Sequence, residues 1–91
     1  MDLQLTNRRA LVIGSTAGIG FAIARGLAAE GAQVTITGRT QANVDAALNR
    51  LRGSVPGAKA DGVAADCASA AGAERVFARV ADVDILVNNM G

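Results

Sequence analysis

Ala10-Leu11-Val12-Ile13-Gly14-Ser15-Thr16-Ala17-Gly18-Ile19-Gly20 is the stretch on which the fold turns. Its first four residues form an uninterrupted apolar run, the pattern of a short strand buried on both faces. Gly14 stops the run and permits a tight exit. Gly18 and Gly20 open the start of a helix and let it pack close to the sheet. In that helix Phe21, Ile23, Ala24, Leu27 and Ala28 recur at helical spacing. A helix that begins this way points backbone N–H groups at the space beyond the strand's end. The unpaired N–H groups and the helix dipole both favour an anion there. Glycine is required where a side chain would block that approach or where φ must be positive. By itself, a three-glycine loop equally describes a strand-to-helix turn in another α/β protein.

Working outward, the helix is expected to end near Glu30 with Gly31 as a left-handed cap. Residues 33–37 are β-branched and short, a second strand ending at Gly38. Thr40 is placed to cap a helix over 41–52, with Val44, Ala47, Leu48 and Leu51 on one face and Gly53 closing it. Residues 54–59 read as a turn-rich loop. A weak third strand follows at 62–65. A helix over 70–80 carries Val76, Phe77 and Val80 on one face, and residues 84–87 form a fourth apolar strand. The order β-α-β-α-β-α-β, with connections too long for hairpins, implies a parallel sheet with right-handed crossovers. The fold class is α/β, a Rossmann-like parallel sheet with helices on both faces.

Composition agrees and excludes several alternatives. The chain has 91 residues, of which 51% are hydrophobic and 19% charged, with two phenylalanines and no Tyr or Trp. A core of Ala, Val, Leu and Ile suits parallel strands covered by helices. The net charge is +1 and the basic residues are scattered, so no nucleic-acid footprint is present. Arg8 and Arg9, the densest basic spot, read as a solvated strand entrance. A single cysteine, Cys67, cannot form an internal disulfide, which fits a reducing cytosol. With no histidine to activate it, Cys67 reads as a small packing residue. Neither a signal peptide nor a membrane span is recognisable, so the expectation is a soluble, cytoplasmic protein with no membrane partner. The residues suggest no metal site. The glycine loop is not followed by Lys-Ser/Thr, which excludes a Walker-type nucleotide hydrolase.

Three segments in order carry a resemblance. Gly14-x-x-x-Gly18-Ile19-Gly20 after an apolar strand resembles the cofactor loop of the short-chain dehydrogenase/reductase family. Asp66, just past the third strand, sits where that family places an aspartate against adenine. Asn88-Asn89-Met90-Gly91 is similar to its Asn-Asn-Ala-Gly motif. Together they span essentially the whole chain. The departures are small: Ile13 stands where threonine is frequent, and Met90 replaces alanine.

The resemblance implies a cofactor-binding set of Gly14, Ser15, Thr16, Gly18, Ile19, Gly20, Arg39, Thr40, Asp66, Cys67, Asn89 and Gly91. Residues 15–19 would line the diphosphate and adenosine ribose. Asp66 and the Cys67 N–H would address adenine, and Asn89 would lie along the nicotinamide-side ribose. Other readings stay open for some of these residues. Asp66 can instead cap the following helix, and Asn88 can simply tie strand ends together.

The end of the second strand bears on which nicotinamide cofactor fits. NAD-binding domains usually carry an acid there, which accepts hydrogen bonds from the ribose 2′-OH. Here the strand ends Thr37-Gly38-Arg39-Thr40. A carboxylate would repel a 2′-phosphate, whereas Arg39 can pair with it, and Thr40 and Ser15 can add hydroxyl contacts. The expectation is NADP(H) rather than NAD(H). Ala17 occupies a loop position where NADP-preferring members often carry a second basic residue. Arg39 as a plain surface residue before the helix is the alternative. The missing acid also argues against an adenosylmethionine-dependent methyltransferase.

The family's catalytic tyrosine and lysine, in a Tyr-x-x-x-Lys motif, are absent, since the chain contains no tyrosine. The expectation is therefore the N-terminal part, residues 1–91, of a single NADP(H)-binding domain, with no catalytic residue of its own. By resemblance, the full-length protein would act on a small-molecule carbonyl or alcohol and form a dimer or tetramer. A free-standing nucleotide-binding module without catalysis is the competing reading. The family's strand order, 3-2-1-4, would leave the fourth strand as an exposed apolar edge in an isolated fragment, which would self-associate or fold only in part.

Overall fold

The computed structural model describes residues 7–14, 16–66, 69–79 and 83–88. Among the described residues seven elements alternate: β1 (Arg9–Ile13), α1 (Gly18–Ala29), β2 (Gln33–Gly38), α2 (Gln41–Ser54), β3 (Lys59–Ala64), α3 (Ala70–Arg79) and β4 (Ile85–Asn88). The four strands form one sheet in the order β3-β2-β1-β4, and every pairing is parallel. This is the strand order that the family resemblance implies.

The apolar run of β1 explains why the sheet is covered on both sides. Ala10 and Val12 face one way, Leu11 and Ile13 the other. The first pair joins Val34 and Ile36 of β2 under α1 and α2, which contribute Phe21, Ala24, Ala28, Val44, Ala47, Leu48 and Leu51. The second pair joins Val63, Ala65 and Val76, the last from α3.

α2 lies especially close to the sheet. A Cβ on Gly62 of β3 would collide with Val44 Cγ1, and a Cβ on Gly38 of β2 would collide with Thr16 Cγ2. Glycine at these two positions lets the helix and the glycine loop settle onto the strand ends.

The structure corrects three of the expected boundaries and one expected buried face. α2 does not close at Gly53 but runs through it to Ser54, and Val55 N–H donates to the Leu51 carbonyl at 2.9 Å. Buried Leu51 and half-buried Val55 carry the helix past the glycine, whose added Cβ would meet nothing. The left-handed glycine of that connection is Gly57, at φ 80°. β3 begins at Lys59 rather than Gly62, because Lys59, Ala60 and Asp61 pair in register with Gln33, Val34 and Thr35. The exposed Lys59 and Asp61 alternate with half-buried Ala60, an edge-strand pattern that reads as a loop in a one-dimensional scan. β4 is displaced by one residue, because Asp84 is engaged with the entrance of β1. Its N–H donates to the Arg9 carbonyl, and its carboxylate accepts from the Arg9 N–H at 2.9 Å. On α3, Val76 is buried but Phe77 is 49% exposed, so the two do not share a buried face. Val80, the third residue expected there, lies outside the described residues.

Candidate functional site

The carboxyl ends of β1 and β2 and the amino ends of α1 and α2 meet at one corner. Gly14 leaves β1 at φ 72°, a conformation that L side chains rarely adopt, and its N–H donates to Thr37 Oγ1 at 3.0 Å. That bond ties the glycine loop to the end of β2. Thr37 is a buried polar residue of the core, and the tie gives its hydroxyl a defined partner.

α1 begins without a side-chain cap. Ala17 holds the N-cap position in extended backbone and makes no side-chain hydrogen bond, and the first turn carries no acid. Gly18 is left-handed at φ 63°, and a Cβ built on it would find nothing within 4 Å. The amino end of α1 is thus uncapped and sterically open on the side that Gly18 presents. Gly20, one turn in, is buried, while Ile19 is 72% exposed beside the loop. An uncapped helix terminus with space before it suits a phosphate group.

The β2 end adds charge. Arg39 is exposed immediately after Gly38, which itself packs on Thr16. Thr40 caps α2 as expected: its Oγ1 accepts from the Asn43 N–H at 3.2 Å. The hydroxyl oxygen is therefore engaged, but its proton is still available to an incoming acceptor.

On the far side of the same corner the connection from β3 to α3 is held to β2, with the Ala65 N–H on the Gly38 carbonyl at 2.8 Å. Asp66 follows, exposed, beyond β3. Ser69 caps α3 through the Gly72 N–H at 3.0 Å, and its own hydroxyl donates to the Asp66 carbonyl at 2.9 Å. A Cβ on Gly72 would collide with that carbonyl. Ser69 thus serves the first turn of α3. Asn88 ends β4 opposite Ile13 of β1. Ser15, Cys67, Asn89 and Gly91 lie outside the described residues.

The structure therefore gathers Gly14, Thr16, Gly18, Ile19, Gly20, Arg39 and Thr40 around one corner, with Asp66 on the neighbouring connection. It also brings Asn43, Ala46 and Arg50, which the sequence motifs do not single out, to the same corner. A cleft of about 290 Å³ lies between the glycine loop and α2, lined by Thr16, Ala17, Asn43, Ala46, Ala47 and Arg50. Asn43, Ala46, Ala47 and Arg50 follow the i, i+3, i+4, i+7 spacing of one helix face, a signal that was available in the sequence. Among the described residues, no helix is long and apolar enough to cross a membrane, and no group of three or more His, Cys, Asp or Glu could hold a metal ion.

Comparison with known proteins places this corner in context. The family model for short chain dehydrogenase matches residues 8–91. An uncharacterized oxidoreductase of Bacillus subtilis, YvrD, is 47% identical over 93 residues, covering 100% of this chain and 35% of that protein. Bos taurus L-xylulose reductase is 40% identical over 89 residues, covering 98% of this chain and 34% of the reductase. Among solved structures, L-sorbose reductase from Gluconobacter frateurii complexed with NADPH and L-sorbose superimposes with a TM-score of 0.86 at 36% identity. That match covers 100% of this chain and 36% of the reductase. The chain spans about a third of the length of the relatives it matches.

Proposed function

The chain belongs to the short-chain dehydrogenase family, and we propose that it is the NADP(H)-holding portion of an oxidoreductase acting on a small carbonyl or alcohol. The observation that carries the cofactor choice is Arg39, exposed where an NAD-binding domain places an acid. The uncapped terminus of α1 and the open space at Gly18 fit the diphosphate. The NADPH complex of L-sorbose reductase supports the same reading.

In this reading the N–H groups at the start of α1 hold the diphosphate, and Thr16 borders it. The Arg39 guanidinium and the Thr40 hydroxyl hold the 2′-phosphate, and Asp66 with Cys67 addresses the adenine. Ser15 lines the diphosphate and adenosine ribose, and Asn89 lies along the nicotinamide-side ribose with Gly91 beside it in the motif. When bound, the cofactor supplies or accepts a hydride at its nicotinamide ring. This chain's own residues orient the cofactor, and they include no tyrosine to move the accompanying proton. Proton transfer belongs to residues outside this chain, as does the selection of the substrate. The single cysteine suits a cytoplasmic protein, and assembly into a homo-oligomer follows the family.

A hydrogen bond to a charged group contributes about 1.5–3 kcal/mol, equivalent to a preference of about ten- to a hundredfold. Replacing Arg39 by Asp removes that contact and repels the 2′-phosphate, so the variant is expected to bind NADH more tightly than NADPH. Dissociation constants for the two cofactors test this. An Arg39→Asp protein that retained its preference for NADPH would remove the basis of the assignment.

A further inference from the structure

We infer that Arg50 of α2 is a second cation for the 2′-phosphate, reaching across the gap that Ala17 leaves in the glycine loop. The inference rests on the NADP(H) reading and adds a specificity-determining residue to it. Ala17, which the family resemblance puts where a second basic residue is frequent, presents only a methyl group to the cleft of about 290 Å³ between the loop and α2. Thr16 and Ala17 form one wall, and Asn43, Ala46, Ala47 and Arg50 form the other. Among the described residues of this lining, Arg50 is the charged one.

The cleft belongs to the Arg39 corner. Thr16 packs on Gly38, the residue before Arg39, and Thr40, the residue after it, holds the N–H of Asn43. Arg50 follows Asn43 by seven residues, two turns along the same face. Long side chains on a helix lean toward its amino end, so Arg50 leans toward Asn43 and the β2 end.

Its position is defined by an aromatic ring rather than by an acid. The guanidinium carbon lies 4.3 Å from the centroid of Phe21. Among the described residues no carboxylate forms an ion pair with it; the Arg8–Asp84 pair lies at the opposite end of the strands. A guanidinium stacked on a ring keeps its in-plane N–H donors available for a planar or tetrahedral anion. The small residues Ala46 and Ala47 leave room for that anion beside it.

The test compares binding of 2′,5′-ADP with that of 5′-AMP, which lacks the discriminating phosphate, using the full protein that carries this chain. The proteins compared are wild type, Arg50→Gln, Arg50→Lys and Arg39→Gln, and the melting temperature of each is recorded. Arg50→Gln keeps a long stem over Phe21. It is expected to weaken 2′,5′-ADP binding by about three- to tenfold, as for a solvated charge-assisted contact, and to leave 5′-AMP binding within about twofold. Arg50→Lys is expected to recover most of the loss. Arg50→Gln overturns the inference if it lowers the melting temperature alone, or if it weakens both nucleotides equally; Arg50 would then serve only to cover Phe21. If only Arg39→Gln reduces discrimination, the NADP(H) reading stands and the role of Arg50 falls. If the wild type does not distinguish the two nucleotides, both fall together.

Discussion

The two faces of the sheet differ. Under α1 and α2, every second residue of β1 and β2 meets a wide apolar layer that extends from Ala28 to Leu51. Under α3 the buried group among the described residues is small, comprising Leu11, Ile13, Val63, Ala65 and Val76 with Val83 at its margin. Leu86 of β4 is in register with Leu11 and so faces the same side, yet it is 54% exposed. The glycine loop, the uncapped end of α1 and the Arg39 corner all stand on the thicker face. A site that positions phosphates by backbone N–H groups needs a rigid platform, and here the platform is the α1/α2 layer.

If that contrast is real, substitutions on the two faces will differ in cost. The largest effect is expected from Gly62→Val. Its side chain would collide with Val44 and crowd Leu48 under α2, and overpacking of this kind costs about 3 kcal/mol. Denaturant unfolding should show a protein close to losing its fold, and an unchanged midpoint would mean that α2 does not lie close to β3.

A paired comparison comes next. Leu51→Ala on the thick face should cost about 3 kcal/mol by leaving a cavity. Val76→Ala on the thin face removes fewer methyl groups next to a surface that can adjust, and should cost about 1 kcal/mol. Equal losses in thermal melts would abolish the distinction between the faces.

A smaller effect is expected at the cap. Thr40→Ala removes the bond to the Asn43 N–H and should cost about 1 kcal/mol. It also removes a hydroxyl proposed to touch the cofactor. NADPH affinity should therefore fall further than NADH affinity, and titration with each cofactor separates this from simple loss of the cap.

Much of this organisation was legible in the residues. The strand at β1, the left-handed Gly31, the cap at Thr40 and the parallel sheet follow from apolar runs, glycine positions and alternation, and the strand order follows from the family resemblance. What escaped were features that depend on neighbours. Gly53 is compatible with a helix because Leu51 and Val55 are anchored in the core. The first half of β3 becomes a strand only because β2 lies alongside it. Phe77 shares an apolar pattern with Val76, but the thin face buries only one of them. The cleft at Arg50 needs two elements, the glycine loop and α2, that the chain separates by more than twenty residues. The order of the site residues was thus readable along the chain, whereas the space between them was not.

The central claim is that the corner between the glycine loop and Arg39 holds the phosphates of NADP(H). The most direct measurement is equilibrium titration of the full protein carrying this chain with NADPH and with NADH under identical salt conditions. The account predicts that NADPH binds about ten- to a hundredfold more tightly. Equal affinities, or tighter binding of NADH, would contradict it.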